Sequence, residues 1–232
     1  MGVFSMGLFS TLDLIALACF VGAWAGYAIA AEWSAHGKAG LNARMDTYRA
    51  LWMRRMLERE VRIIDAQIMA ALQNGTAFFA STSLLAIGGA LTLLRSTGEV
   101  LAVMTDMPLG LQTTRALWEA KSLGLVVIFV YAFFKFAWSY RLFNYVAILL
   151  GGMPHRSDKA QPEAEAHVLR TTRLFEAAGR HFNRGQRAFF FALGYLGWFI
   201  GPLVLIGTTI AVVVVIWRRQ FASDARQAVF DE

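Results

Sequence analysis

Apolar positions gather into long runs separated by charged stretches. No formal charge occurs from Leu14 to Ala31, from Ala66 to Leu94, or from Ala188 to Trp217. Each run reaches the roughly 20 helical residues needed to cross a bilayer core. Another run is interrupted: it begins at Ser122, meets Lys135 and Arg141, and continues to Leu150. The pattern predicts an all-α, four-transmembrane-helix membrane protein with cytoplasmic helical extensions. It forms a single membrane domain over 1–232, with spans near 12–31, 72–94, 122–150 and 188–217.

The connections 32–71 and 151–187 read as cytoplasmic helical segments. In the first, Arg54, Glu58 and Arg62 are spaced four apart, the spacing of stacked opposite charges on a helix. Charges all round this stretch predict a solvated helix extending the second span. In the other, Pro162 followed by Glu163 and Glu165 fits a helix start. A faint repeat, with Arg62–Ala66 over Arg173–Ala177 and Ala77–Phe79 over Ala188–Phe190, raises a 2+2 parallel arrangement, as in transporters built from parallel halves. Chance similarity between helices of like composition is the alternative.

Composition agrees with a membrane class: 57% of residues are apolar and 16% charged, against about 45–50% and 25% in soluble domains. The first run lacks a basic lead-in and is read as a retained helix, not a secretory signal. A single cysteine, Cys19, excludes an intrachain disulfide and Cys-x-x-Cys metal or redox motifs. The histidines, His36, His155, His167 and His181, fall in connections, so paired axial haem ligands on facing spans are not provided. Catalytic and phosphate-loop motifs are missing. The reading is therefore not an enzyme, with no catalytic residues, no metal and no cofactor.

The net charge of +6 would point to nucleic acid in a soluble protein. Here it belongs to topology instead, and nucleic acid is not expected. Seven Lys or Arg lie in 32–65 and seven in 151–187; three lie in 95–121 and three after Trp217. Basic residues resist translocation, so both long connections are expected in the cytoplasm of a cell inner membrane (for a bacterial chain), with both termini outside. Arg218 and Arg219 dissent.

Small residues Ala18, Gly22, Gly26 and Ala30 recur every four positions in the first span, as do Gly197 and Gly201 in the last. Such faces let helices approach closely, and they support a homo-oligomer. Pro202 is expected to kink the last span. Asp13 reads as an interfacial carboxylate.

On a helical wheel Lys135, Trp138, Arg141 and Tyr145 fall within about 120° of one another, opposite Phe133, Phe136, Tyr140 and Phe143. The two cations lie ~9 Å apart along the axis, so at least one is intramembrane, which costs ~2.5–3.5 kcal/mol on insertion scales. Partners are sought in Asp13, Asp65, Glu176, Asn74 and Asn183, while Arg184 and Arg187 add positive charge at the same level. Three readings stay open: Arg141 snorkels and Lys135 is paired in the bundle; a cationic cavity accepts an anionic solute or lipid headgroup; or the charges serve catalysis. The candidate ligand or pore set is Lys135, Trp138, Arg141, Tyr145, Asn74, Asn183, Arg184 and Arg187. The functional expectation is an oligomeric anion-binding or anion-conducting assembly, or else a non-catalytic accessory protein that contacts anionic membrane lipids.

The string Phe134-Lys135-Phe136-x-Trp138-x-x-Arg141-x-x-Asn144-Tyr145, with Asn74 and Asn183-x-Gly185, resembles an uncharacterised integral membrane family of bacteria and plants catalogued as a domain of unknown function. The resemblance runs from the first span to the fourth. It implies a multi-pass membrane protein and supplies no reaction.

Overall fold

The computed structural model describes residues 8–34, 37, 39–106, 114–158 and 161–230. These are helical, without strands among the described residues. Helix α1 is Thr11–Trp33, α2 Leu41–Met56, α3 Ile63–Arg95, α4 Thr97–Asp106, α5 Arg115–Gly151, α6 Pro162–Tyr195, α7 Gly197–Ile200, α8 Pro202–Phe221 and α9 Asp224–Phe230. Four stretches are long and apolar enough to cross a membrane: α1, α3, α5, and the α8 to α9 stretch Pro202–Phe230. His36, Lys38 and Lys159 fall outside the described residues.

At 1.5 Å per residue α3, α5 and α6 are each about 50 Å long, well beyond a hydrocarbon core of ~30 Å. Their surplus length forms a second layer at one end of the bundle. There Met53, Met56 and Leu57 pack with Met69, Phe143, Val146, Met153, Val168 and Phe175. The bundle proper is joined by Phe20, Ile128, Phe136, Phe191, Tyr195, Trp198 and Leu205.

Cross-helix bonds fix the directions. The Gln73 amide donates to Asn144 Oδ1 at 2.7 Å and Trp118 donates to the Leu93 carbonyl at 3.3 Å, so α3 and α5 are antiparallel. Ser139 donates to the Ala178 carbonyl at 2.8 Å, and Lys121 to the Trp198 carbonyl at 2.7 Å, which sets α6 antiparallel to α5. Tyr27 donates to the Ile216 carbonyl at 3.3 Å, and Trp198, just before α8, donates to Asp13 at 2.7 Å, which makes α1 and α8 parallel.

The apolar run 188–217, expected as one span with a kink, is instead folded back on itself. Helix α6 carries its apolar end, with Ala188, Phe191, Ala192 and Tyr195 buried, into the bundle and stops at Tyr195. Gly201 is extended, and Pro202 opens α8 at its first turn, where the missing N–H costs nothing. The return is tight because Thr208 donates to the Gly194 carbonyl at 2.7 Å. A Cβ on Gly197 would sit 2.5 Å from Thr208 Oγ1. Gly197 is thus a close-approach glycine, whereas the site a Cβ would occupy on Gly201 is open.

This reversal changes the topology. The tail comes back beside α2: Arg44 donates to the Val229 carbonyl at 3.3 Å. Ser10 and Phe230 therefore lie at opposite ends of the bundle, against the expectation that both chain ends share one side. Arg218 and Arg219 stand at the end that holds the basic connections, which removes their dissent.

One further expectation needs correction, and the internal repeat is not confirmed. Segment 32–71 is not one helix extending the second span. Helix α2 ends at Met56, and α3 starts afresh at Ile63. Arg54 pairs with Glu165 at 3.8 Å, while Arg62 donates to the carbonyls of Met153 and Pro154. Charges all round α2 had masked a buried side carrying Met53 and Met56. The 2+2 repeat is not established, since α3 runs unbroken to Arg95 while α6 stops at Tyr195.

Candidate functional site

The charged cluster forms where four elements meet: the last turn of α1, the start of α2, the middle of α6 and the last turns of α8. Glu32, on the final turn of α1, receives Arg184 Nη2 at 2.5 Å and Arg184 Nε at 3.1 Å; Arg187 also donates to it. Residues 184 and 187 are three apart on α6, one helical turn, so both guanidiniums reach the same carboxylate. The side chains are 20%, 31% and 12% exposed for Glu32, Arg184 and Arg187, a half-buried setting where ion pairing is stronger than at a surface. Arg187 also lies 5.9 Å over the Tyr27 ring.

Two cavities flank this pairing and share Asn42, Asn183 and Arg187. The smaller, about 130 Å³, is lined by Glu32, Asp46 and Arg180 as well. The larger, about 240 Å³, is lined by Tyr27, Phe190 and Ile216 on its apolar side. Its polar lining is Asn42, Asn183, Gln186, Gln220, Arg187 and Arg219. No carboxylate lies among these lining residues. Gln220 is 7% exposed, and its Nε2 has no hydrogen-bond partner among the described residues. Arg219 stacks 5.3 Å over Phe190. The larger cavity thus offers two permanent cations and four amides to an acceptor-rich guest, the chemistry that guanidinium and amide donors supply to an oxyanion.

Just outside the candidate spans, burial and the nearby Asp46 carboxylate hold Glu176 above the usual carboxylate range, despite Arg180 and Arg49 close by.

The sequence-derived residues separate into two groups. Asn183, Arg184 and Arg187 come together as described. Lys135 is half-buried on α5 with its Nζ 4.9 Å over Tyr131, in electrostatic range of Arg184 and Glu32. Trp138 is 46% exposed and meets His181 edge-on at 6.4 Å.

Arg141 does not join the cluster. It lies exposed on the outside of α5, where its Nε donates to Tyr145 at 2.7 Å and its guanidinium stands 6.0 Å from the Trp138 ring. This is the geometry of a snorkelling cation on an aromatic ladder, not of a clamp inside a path. Tyr145 belongs to that ladder and lines neither cavity. Asn74 is exposed on α3; its neighbour Gln73 makes the cross-helix bond. The opposite, aromatic side of α5 is divided: Phe136 is fully buried and Phe143 nearly so, while Phe133 is partly buried and Tyr140 exposed.

Sequence reasoning missed Glu32, along with Arg219 and Gln220 of the larger cavity. Glu32 stands one position past the charge-free run ending at Ala31, and a window that stops at the last apolar residue excludes it. A search for an acid within one turn of each span's end would have found it.

Asp13 is not an interfacial carboxylate. It is 5% exposed, caps α1 with Ser10, and accepts from Trp198, while Lys121, 4% exposed, donates to the Trp198 carbonyl. This buried latch closes the end of the bundle opposite the Glu32 cluster.

The motif residues have structural roles as well. A Cβ on Gly185 would lie 2.7 Å from the Phe136 ring, so this glycine makes room for the motif phenylalanine. No curated protein and no solved structure matches the chain. The family model described as "Protein of unknown function, DUF599" matches residues 15–225, from the first turns of α1 into α9, and the chain belongs to that family.

Proposed function

We propose that this chain is a multi-pass protein of the cytoplasmic membrane that binds an anion at the basic end of its bundle, without catalysing a reaction. One observation carries the reading: the larger cavity combines Arg187 and Arg219 with four side-chain amides and no lining carboxylate. Glu32 offsets part of the charge of Arg184 and Arg187, which leaves the site net cationic.

In this reading the basic end faces the cytoplasm. Once the tail is placed beside α2, seventeen Lys or Arg belong by sequence to connections and tail at that end, and three to segment 95–121 at the other. The N-terminal end of α1 is then outside and the C-terminal tail inside.

The test is thermal unfolding of the purified protein in a neutral detergent, with sulfate or inorganic phosphate against chloride at equal ionic strength. Oxyanions stabilise the native chain and lose that effect in Arg187→Gln and Arg219→Gln. Equal stabilisation by all three salts in every form would refute anion binding.

A second reading extends the first to a homo-oligomer. Ala18, Gly22 and Gly26 on α1 are exposed, and a Cβ on Gly22 or Gly26 would meet nothing within 4 Å. A second copy seated there would use the small-residue face that this chain leaves uncovered. Anion conduction would need such an assembly, and flux through proteoliposomes tests it separately.

A further inference from the structure

The anion site opens beneath an apolar lane, and the two together have the form of an amphiphile. Antiparallel α6 and α8 are locked by Thr208 on Gly194 and by Arg219 over Phe190. On α8, positions 204, 208, 215 and 219 follow one helical stripe; on α6, positions 186, 190 and 193 follow the facing stripe, with Gly197 of α7 beyond them. Along these stripes Leu193, Val204 and Val215 are exposed, at 59%, 37% and 47%. Phe190 lies on the α6 stripe and lines the cavity together with Arg187, Arg219 and the amides.

We infer that the occupant is an anionic phospholipid, its phosphate and headgroup held by Arg187, Arg219 and Gln220 in the cavity and an acyl chain lying along Leu193, Val204 and Val215. This rests on the anion-binding reading and deepens it.

Two features favour a lipid over a free oxyanion, and a third calls for an acceptor that either would supply. The cavity is at the end of the candidate spans, the depth of headgroups, where anionic lipids of the cytoplasmic leaflet concentrate basic side chains. Its floor is apolar on one side, with Tyr27, Phe190 and Ile216, which a hydrated inorganic ion does not need. The Nε2 donor of Gln220, buried and without a hydrogen-bond partner among the described residues, costs free energy until an acceptor reaches it. Headgroup phosphate and glycerol oxygens supply such acceptors.

The experiment is native mass spectrometry of the full chain released from nanodiscs of phosphatidylcholine with phosphatidylglycerol at equal amounts. Preferential retention of phosphatidylglycerol is expected. Arg219→Gln reduces it about five-fold, the share of one cation beside an anionic leaflet. Leu193→Asn, on the lane but outside the cavity, also reduces it, while leaving sulfate stabilisation in detergent unchanged. The Arg141→Gln variant, on the exposed ladder of α5, retains lipid like the native chain. If phosphatidylglycerol and phosphatidylcholine are retained equally while sulfate still stabilises the protein through Arg187, the lipid inference fails and the anion site stands. If neither lipid preference nor oxyanion stabilisation occurs, both fail. Equal loss of retention in Arg141→Gln and Arg219→Gln would also overturn the placement.

Discussion

Replacing Glu32 with glutamine keeps the shape of the side chain and removes the one carboxylate that Arg184 and Arg187 share. Breaking a fully buried ion pair by deleting one partner costs about 3–5 kcal/mol, and an exposed pair is worth ~0–1 kcal/mol. With 20% of the Glu32 side chain exposed, and 31% and 12% of its two partners, the expected loss is intermediate, about 2 kcal/mol. On the scale of domains this size that is a fall of ~4–8 °C in midpoint. The anion reading adds a second, opposite effect. Glu32→Gln raises the net positive charge beside the cavity, so sulfate stabilises the variant more than the native chain and returns part of the lost stability. The assay is thermal unfolding in detergent across a sulfate series, repeated for Arg187→Gln and for the double variant. Coupling between the two sites of at least ~1 kcal/mol is expected, since they share one contact. Additivity within about 0.5 kcal/mol, or a variant indifferent to sulfate, would show that Glu32 does not couple Arg184 and Arg187 to the cavity.

Three other outcomes follow from the geometry. With Cys19 first replaced by alanine, single cysteines at Ser157 and Ser223 are both shielded from an impermeant thiol reagent applied outside, while one at Gly98 is labelled; labelling of Ser223 from outside would restore the topology in which both ends share a side. Trp198→Phe deprives the buried Asp13 carboxylate of its 2.7 Å donor and lowers stability by about 1–3 kcal/mol, measured by thermal unfolding, with no change in oxyanion response because the latch is at the far end of the bundle. Gly197→Ala forces a Cβ to within 2.5 Å of Thr208 Oγ1 and costs about 1–3 kcal/mol of overpacking, while Gly88→Ala, which meets nothing within 4 Å, leaves the unfolding midpoint within about 1 °C of the native value.

Much of this fold is written in periodicity and length. The uncharged runs locate α1 and the bilayer part of α3, and the run flanking Lys135 locates α5, because an uncharged stretch of that length is stable in hydrocarbon only as helix. Pro162 marks the first residue of α6 through its preference for a position whose N–H is unpaired anyway. The reversal at 196–201 was legible only as a kink. A charge-free run shows where polar groups are absent, not where the chain turns, and the turn depends on Gly194 and Gly197 fitting against Thr208, a contact between residues distant enough that spacing does not reveal it. The topology error follows from that one turn: adding a reversal moves the tail to the opposite end and brings Arg218 and Arg219 into line with the other basic residues.

The candidate site was legible in half. Arg184, Arg187 and Asn183 stand out as polar residues at the entrance to an apolar run. Arg141 and Tyr145 share a wheel sector with Lys135 but sit lower and on the outside of α5, where the aromatic ladder satisfies the guanidinium. A wheel gives direction around a helix, and it does not say which neighbour occupies that direction. Glu32, Arg219 and Gln220 come from two other helices, and only the packing of α1 and α8 against α6 assembles them.

In this proposal Arg187 and Arg219 hold an anionic group in the cavity between α1, α6 and α8. A side-chain-resolution map of the protein in nanodiscs containing phosphatidylglycerol tests it most directly. The account predicts density for a phosphate within hydrogen-bonding reach of both guanidiniums, with Glu32 still bridging Arg184 and Arg187 beside it and a tail running along Leu193 and Val215. A cavity closed by its own side chains, with Arg219 turned away to bulk water and no density between the two arginines, would contradict it.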